Sequence, residues 1–110
     1  MVKKSVRFEI RLPTHYNNKR KIEPEKHSKT IEEIFVKFGA FTFMGIMEGG
    51  WRNQNTKKSY REKMRGLFVD VKKKDFIKTV RFFKRYKKTL EKRFKQQVIY
   101  IIAFDLYVIE

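Results

Sequence analysis

The chain has 110 residues, 28 Lys or Arg against 12 Asp or Glu, a net charge of +16, 41% hydrophobic residues and no cysteine. Its length and apolar content imply one domain, residues 1–110, around a single core of ordinary size. The absence of cysteine excludes disulfides and thiolate metal sites, and it fits a reducing, cytoplasmic setting.

Ser5–Leu12 alternates strictly, with Val6, Phe8, Ile10 and Leu12 on one side and Arg7, Glu9 and Arg11 on the other. That is the pattern of a half-buried strand. A charged loop rich in turn formers follows. Pro24 suits a first helical turn, and Thr30 with Glu33 would make a capping box one turn later. Ile31, Ile34, Phe35 and Phe38 recur at helical spacing, and Gly39 stands where a left-handed C-cap belongs.

Ala40–Trp51 and Tyr60–Val71 read as two strands of a hairpin, with Gly45 and Gly49–Gly50 marking a bulge or a close approach. Asp75 opens a second helix whose apolar stripe is Phe76, Val80, Phe83, Leu90 and Phe94, flanked by Ile77 and Tyr86. The final strand, from Val98, is apolar on both faces. The order β-α-β-β-α-β predicts an α+β ferredoxin-like sandwich, a four-stranded antiparallel sheet with two helices on one face. Fold of this kind settles no function.

No segment is apolar for long enough to cross a bilayer, and the basic N-terminus alternates where a signal peptide would be continuous, so no membrane partner is expected. Charge is the strongest functional signal. Residues 72–95 alone carry +10. On a helical projection at about 100° per residue, Arg81, Lys84, Arg85, Lys88, Lys92 and Lys95 lie opposite the core stripe. A solvated face ordinarily mixes Glu with Lys, and this one scarcely does. A lysine-rich proteome would also produce it, since Lys outnumbers Arg 19 to 9.

The expectation is a small nucleic-acid-binding protein. Lys72, Lys73 and Lys74 would join the six helical cations in contacting the phosphates of RNA or DNA, with low sequence specificity and no cofactor. Phe82, off the core stripe, is the aromatic available to a base or a partner. The alternative is a homo-oligomeric interaction module. The doubly apolar last strand predicts a homodimer with Tyr100 or Ile101 at the contact.

A metal-dependent nuclease ranks third. Glu48 and Glu62 would face each other if the hairpin were symmetric about Asn55, and a slip of one residue would part them. Arg61 and Arg65 offer simple ion pairs instead. His15 and His27 make no zinc site without a placed carboxylate or thiolate. Arg65–Val71 resembles part of the RNA-recognition motif, but the first strand carries no stacking aromatic on its open side. Small ferredoxin-like nucleases place an aspartate after that strand, and here the sequence reads RLPTHYNN. Trp51 is expected to fold back on the hairpin.

Short motifs extend over nearly the whole chain: Leu12–Pro13, Tyr16–Asn17, Ile22, Pro24, Phe38–Gly39, Glu48–Trp51, Arg93–Gln96 and Ile99–Tyr100. With these the chain resembles a loose set of small, uncharacterised prokaryotic proteins. The resemblance implies the fold and no established activity.

Overall fold

A computed structural model describes all 110 residues. In chain order the elements are β1 (Val2–Pro13), α1 (Pro24–Phe38), β2 (Thr42–Arg52), β3 (Ser59–Lys72), a 3₁₀ turn at Lys73–Asp75, α2 (Phe76–Arg93) and β4 (Tyr100–Ile109). The four strands form one antiparallel sheet in the order β2-β3-β1-β4, as the ferredoxin-like reading requires. No helix is long and apolar enough to cross a membrane.

Alternation in β1 decides which side of the sheet is covered. Val6, Phe8, Ile10 and Leu12 are at most 2% exposed and face the helices with Leu67 and Val69 of β3. From α2 come Phe83, Tyr86 and Leu90, and Phe94 and Ile99 complete the same core after the helix ends. Phe8 stacks on Phe83, and Phe83 on Phe38. In β4, Ile101 turns toward the core while Tyr100 stays half exposed on the open side.

Helix α1 begins at Pro24, so Thr30 lies mid-helix and the expected capping box does not form. The Thr30 hydroxyl instead donates back to the Lys26 carbonyl. Gly39 ends the helix at φ 77°, a left-handed cap whose N–H donates to Phe35. The α1 stripe sits about a sixth of a turn from the expected one. His27, Thr30 and Ile34 are buried, and Phe35 is exposed, with its edge against Phe41. The reason lies on α2, where Arg93 reaches across.

Its guanidinium donates to both Glu33 oxygens, at 2.6 and 3.0 Å, and to Thr30 Oγ1 at 2.8 Å; Tyr86 also donates to Glu33. The Arg93 hydrogen bond holds the Glu33 carboxyl below the usual carboxylate range, and burial pushes the Tyr86 phenol up. This polar clasp turns α1 so that Thr30 and Glu33 point at α2.

His27 is 5% exposed, edge-on to Phe94, and its Nδ1 has no hydrogen-bond partner. Burial, with a smaller contribution from the charge of Arg65, holds its imidazole below the ordinary value of 6.5. The unfolded chain therefore takes up this proton more readily than the folded one. The stabilisation is complete above about pH 6.5 and is lost as pH falls through the window between the two values. Replacement by leucine should flatten the melting temperature between about pH 7 and pH 5, leaving the steeper loss at lower pH to Glu33 and Glu23. An unchanged slope in that window would show that His27 does not titrate there.

Candidate active site

Beyond the Pro13–Met64 pair β1 ends, and β2 and β3 run on together to Arg52 and Ser59 as a two-stranded arm. Its tip is held by Asn53, whose Oδ1 accepts from the N–H groups of Asn55 and Thr56. Between this arm, the β1–α1 loop and the segment after α2 lies a cleft of about 650 Å3. That volume is in the range of small-molecule sites. Trp51 and Tyr60, opposite each other in register, line it with rings stacked at 4.5 Å and 17°.

The polar groups of the cleft are varied. Glu62 and Lys63 come from β3, His15 and Asn17 from the loop, and Gln96 from beyond α2. The His15 ring is held through Nδ1 by Thr14 at 2.7 Å. Tyr16 donates to Glu23, and the ammonium groups of Lys26 and Lys95 lie over its ring at 4.9 and 5.4 Å. That hydrogen bond keeps the Glu23 carboxyl below the usual range. The cleft thus combines aromatic faces, amides and one carboxylate with the cations Lys19, Arg61 and Lys63, which suits a flat heteroaromatic ligand that bears hydroxyl groups and an anionic end.

Glu48 and Glu62 do not face each other. The arm pairs Glu48 with Lys63 and Gly49 with Glu62, one residue off symmetry about Asn55, so the two carboxylates lie on opposite sides of the sheet. Glu48 instead meets Arg61 at 3.9 Å. The slip originates at the other end of the hairpin, where a bulge between Phe43 and Gly45 (φ 86°) inserts Met44. No group of three potential metal ligands occurs.

Of the nine expected phosphate contacts the structure brings four together and leaves five apart. Lys72, Lys74, Arg81 and Arg85 surround a second cleft, of about 680 Å3, beside the start of α2. Lys73 is drawn away to Asp105 of β4, at 2.8 Å to both oxygens. Lys84 borders the groove between α2 and β4, Lys95 lies over Tyr16, and Lys88 and Lys92 are exposed along α2. Phe82 is only partly exposed: it packs on Phe38, Phe83 and Tyr86, carries Lys37 over its ring at 5.2 Å, and lines the second cleft.

The sequence reading missed two features. Tyr60 was detectable as the cross-strand partner of Trp51, had the register been known. Glu9 lies on the open side of the sheet as its alternation implies, yet it is 5% exposed, with Arg11 at 3.7 Å. Beside it, Arg7 forms a two-pronged pair with Asp70 and lies 3.7 Å over the Phe68 ring.

No family model and no curated protein matches the chain. Among solved structures, a phage SAM lyase in complex with S-methyl-5'-thioadenosine shares the fold, with a TM-score of 0.58 and 16% identity over 97% of this chain and 89% of that one. At this identity the likeness establishes the fold. It also overturns the expectation of a nucleic-acid-binding protein. The protein that shares this architecture almost end to end is an enzyme holding a nucleoside thioether. The charge of α2, exposed along Lys88 and Lys92, is by itself no argument for phosphate contacts.

Proposed function

We propose that this chain is a small enzyme acting on S-adenosylmethionine (SAM) or a closely related adenosyl sulfonium, with its site in the cleft under the β2–β3 arm. The observation that carries this reading is the stacked Trp51–Tyr60 pair beside Glu62 in a cleft of nucleoside size. The fold neighbour, with S-methyl-5'-thioadenosine bound, supports the same ligand class. An adenine ring gains by stacking on an indole or phenol face, and a carboxylate attracts a sulfonium cation. Asn17 and Gln96 supply donors and acceptors for base or ribose edges, and Lys63 a cation for the amino-acid carboxylate.

In a lyase reaction on SAM, the bond between sulfur and the four-carbon methionyl arm breaks. Sulfur keeps the electron pair and becomes the neutral thioether of S-methyl-5'-thioadenosine. The arm departs by closing on its own carboxylate, so no water is consumed. The cleft's contribution is to hold the adenosyl group and fold the arm into attacking position.

We also place the chain with the small prokaryotic proteins whose motifs it shares. Support comes from Pro13, Tyr16, Asn17, Trp51 and Gln96, which belong to separate stretches of that resemblance and line this one cleft.

Trp51 is the only tryptophan, so its fluorescence reports the site without labelling. Titration with S-methyl-5'-thioadenosine should quench it and raise the melting temperature. Incubation with SAM should release S-methyl-5'-thioadenosine, measured by chromatography. No fluorescence change, no melting shift and no product at millimolar ligand would overturn the reading.

A further inference from the structure

The face of the sheet away from the helices is covered by nothing in the chain. On β4, Tyr100, Ile102 and Phe104 point outward, because their register partners Arg11, Glu9 and Arg7 are the outward set of β1. Tyr100 is 52% and Phe104 43% exposed. Across the sheet, Met44 and Met47 lie over Gly66, where an added Cβ would come within 2.6 Å of Met47 Cε and 3.3 Å of Met44 Cβ. The glycine lets both methionines lie low, and the surface continues through Phe68 toward β4.

Charge separates this face from the rest of the molecule. The alternation places Lys3, Arg7, Arg11 and Lys72 on it with Glu9, Asp70 and Glu62, a near balance in a chain of net +16. The α2 side, with +10 over residues 72–95, repels a second copy. On the open face the two signs interleave, and an identical face brings complementary charges when it is turned about a two-fold axis. Arg11 lies over the Tyr100 ring at 5.0 Å and 3.7 Å from Glu9, which fixes this row of charges beside the apolar residues of β4.

We propose that the open sheet face is the contact of a two-fold homodimer, with the outward residues of β4, Phe68 and the Arg7–Glu9–Arg11 row packed against those of a second copy. An acidic partner would be drawn to the strongly basic α2 side, so the near-neutral apolar face is left to the chain itself. Two sheets in this arrangement pack at about 10 Å, with their side chains forming a second core. Trp51, Tyr60 and Glu62 share this face only beyond Pro13, where β1 has ended, and the proposed contact lies on the part that β1 and β4 build.

Sedimentation equilibrium at micromolar concentration should give twice the 13.5 kDa of the chain. Phe104→Lys and Ile102→Lys should each give the single-chain mass with an unchanged circular-dichroism spectrum, and Lys88→Glu should remain dimeric. Because the chain has no cysteine, Tyr100→Cys provides a second readout. It should form an intermolecular disulfide on mild oxidation, and Lys88→Cys should not. A wild type that stays monomeric would overturn the proposal. So would a dimer that survives both lysine variants, which would place the contact elsewhere, such as the free edge of β4.

Discussion

Loss of the Trp51 indole is expected to weaken S-methyl-5'-thioadenosine about thirtyfold, since one base stacked on an aromatic ring contributes about 2 kcal/mol. The Glu62→Gln variant should behave differently. It leaves the aromatic wall intact and removes only the negative charge. Binding of the neutral thioether should then be nearly unchanged, while the sulfonium substrate loses about tenfold, the equivalent of about 1.4 kcal/mol, slightly above the roughly 1 kcal/mol of two charges about 4 Å apart in bulk water, as an open cleft implies. Calorimetric titration of both ligands against both variants separates the two contributions. Equal losses for the two ligands on Glu62→Gln would show that the carboxylate does not meet the sulfonium.

The largest stability effect is expected at Phe94, which is fully buried and packs against His27 of α1. Phe94→Ala should cost about 4 kcal/mol, from lost burial and from the cavity left behind. For a chain of this size that lowers the melting temperature by about 17 °C. The same substitution should weaken ligand binding at temperatures where the protein is still folded. Phe94 anchors the turn that places Gln96 in the cleft, and Gln96 itself is tied there by a hydrogen bond to the Phe94 carbonyl. A melting shift of only a few degrees would mean that the neighbouring side chains close over the space.

The architecture was readable because its signals are local. Period-two alternation in β1, the stripe from Val80 to Phe94 and the glycine after Phe38 each lie within one segment, and each survives in the folded chain. The register of the β2–β3 arm was not readable. It depends on one bulged residue, Met44, and on the conformation of the Asn53–Lys58 turn, and a shift of one position sends Glu48 and Glu62 to opposite sides. The stripe of α1 was displaced for a non-local reason, the reach of Arg93 from the other helix. The cleft was illegible for the same cause. Its residues come from the β1–α1 loop, both strands of the arm and the segment after α2, and only the fold brings them together. The basic face of α2 was misleading: it led to a nucleic-acid-binding expectation that the comparison overturned, because a run of cations looks the same on a phosphate-contacting face as on a solvated one.

The arm that carries Trp51 and Tyr60 is two strands wide where the body of the sheet has four. Without a third strand beyond Pro13, each residue there has fewer neighbours to hold it, and two-stranded ribbons are only marginally stable in water. The wall of the cleft is therefore the part of the sheet that opens most readily, and a closed wall is a minor expense of the bound state. Affinity for any ligand of the cleft falls by the fraction of time the wall is open, and the same opening gives that ligand a way out. Under the proposed lyase reading, the fraying of this hairpin would limit turnover as much as the breaking of a carbon–sulfur bond.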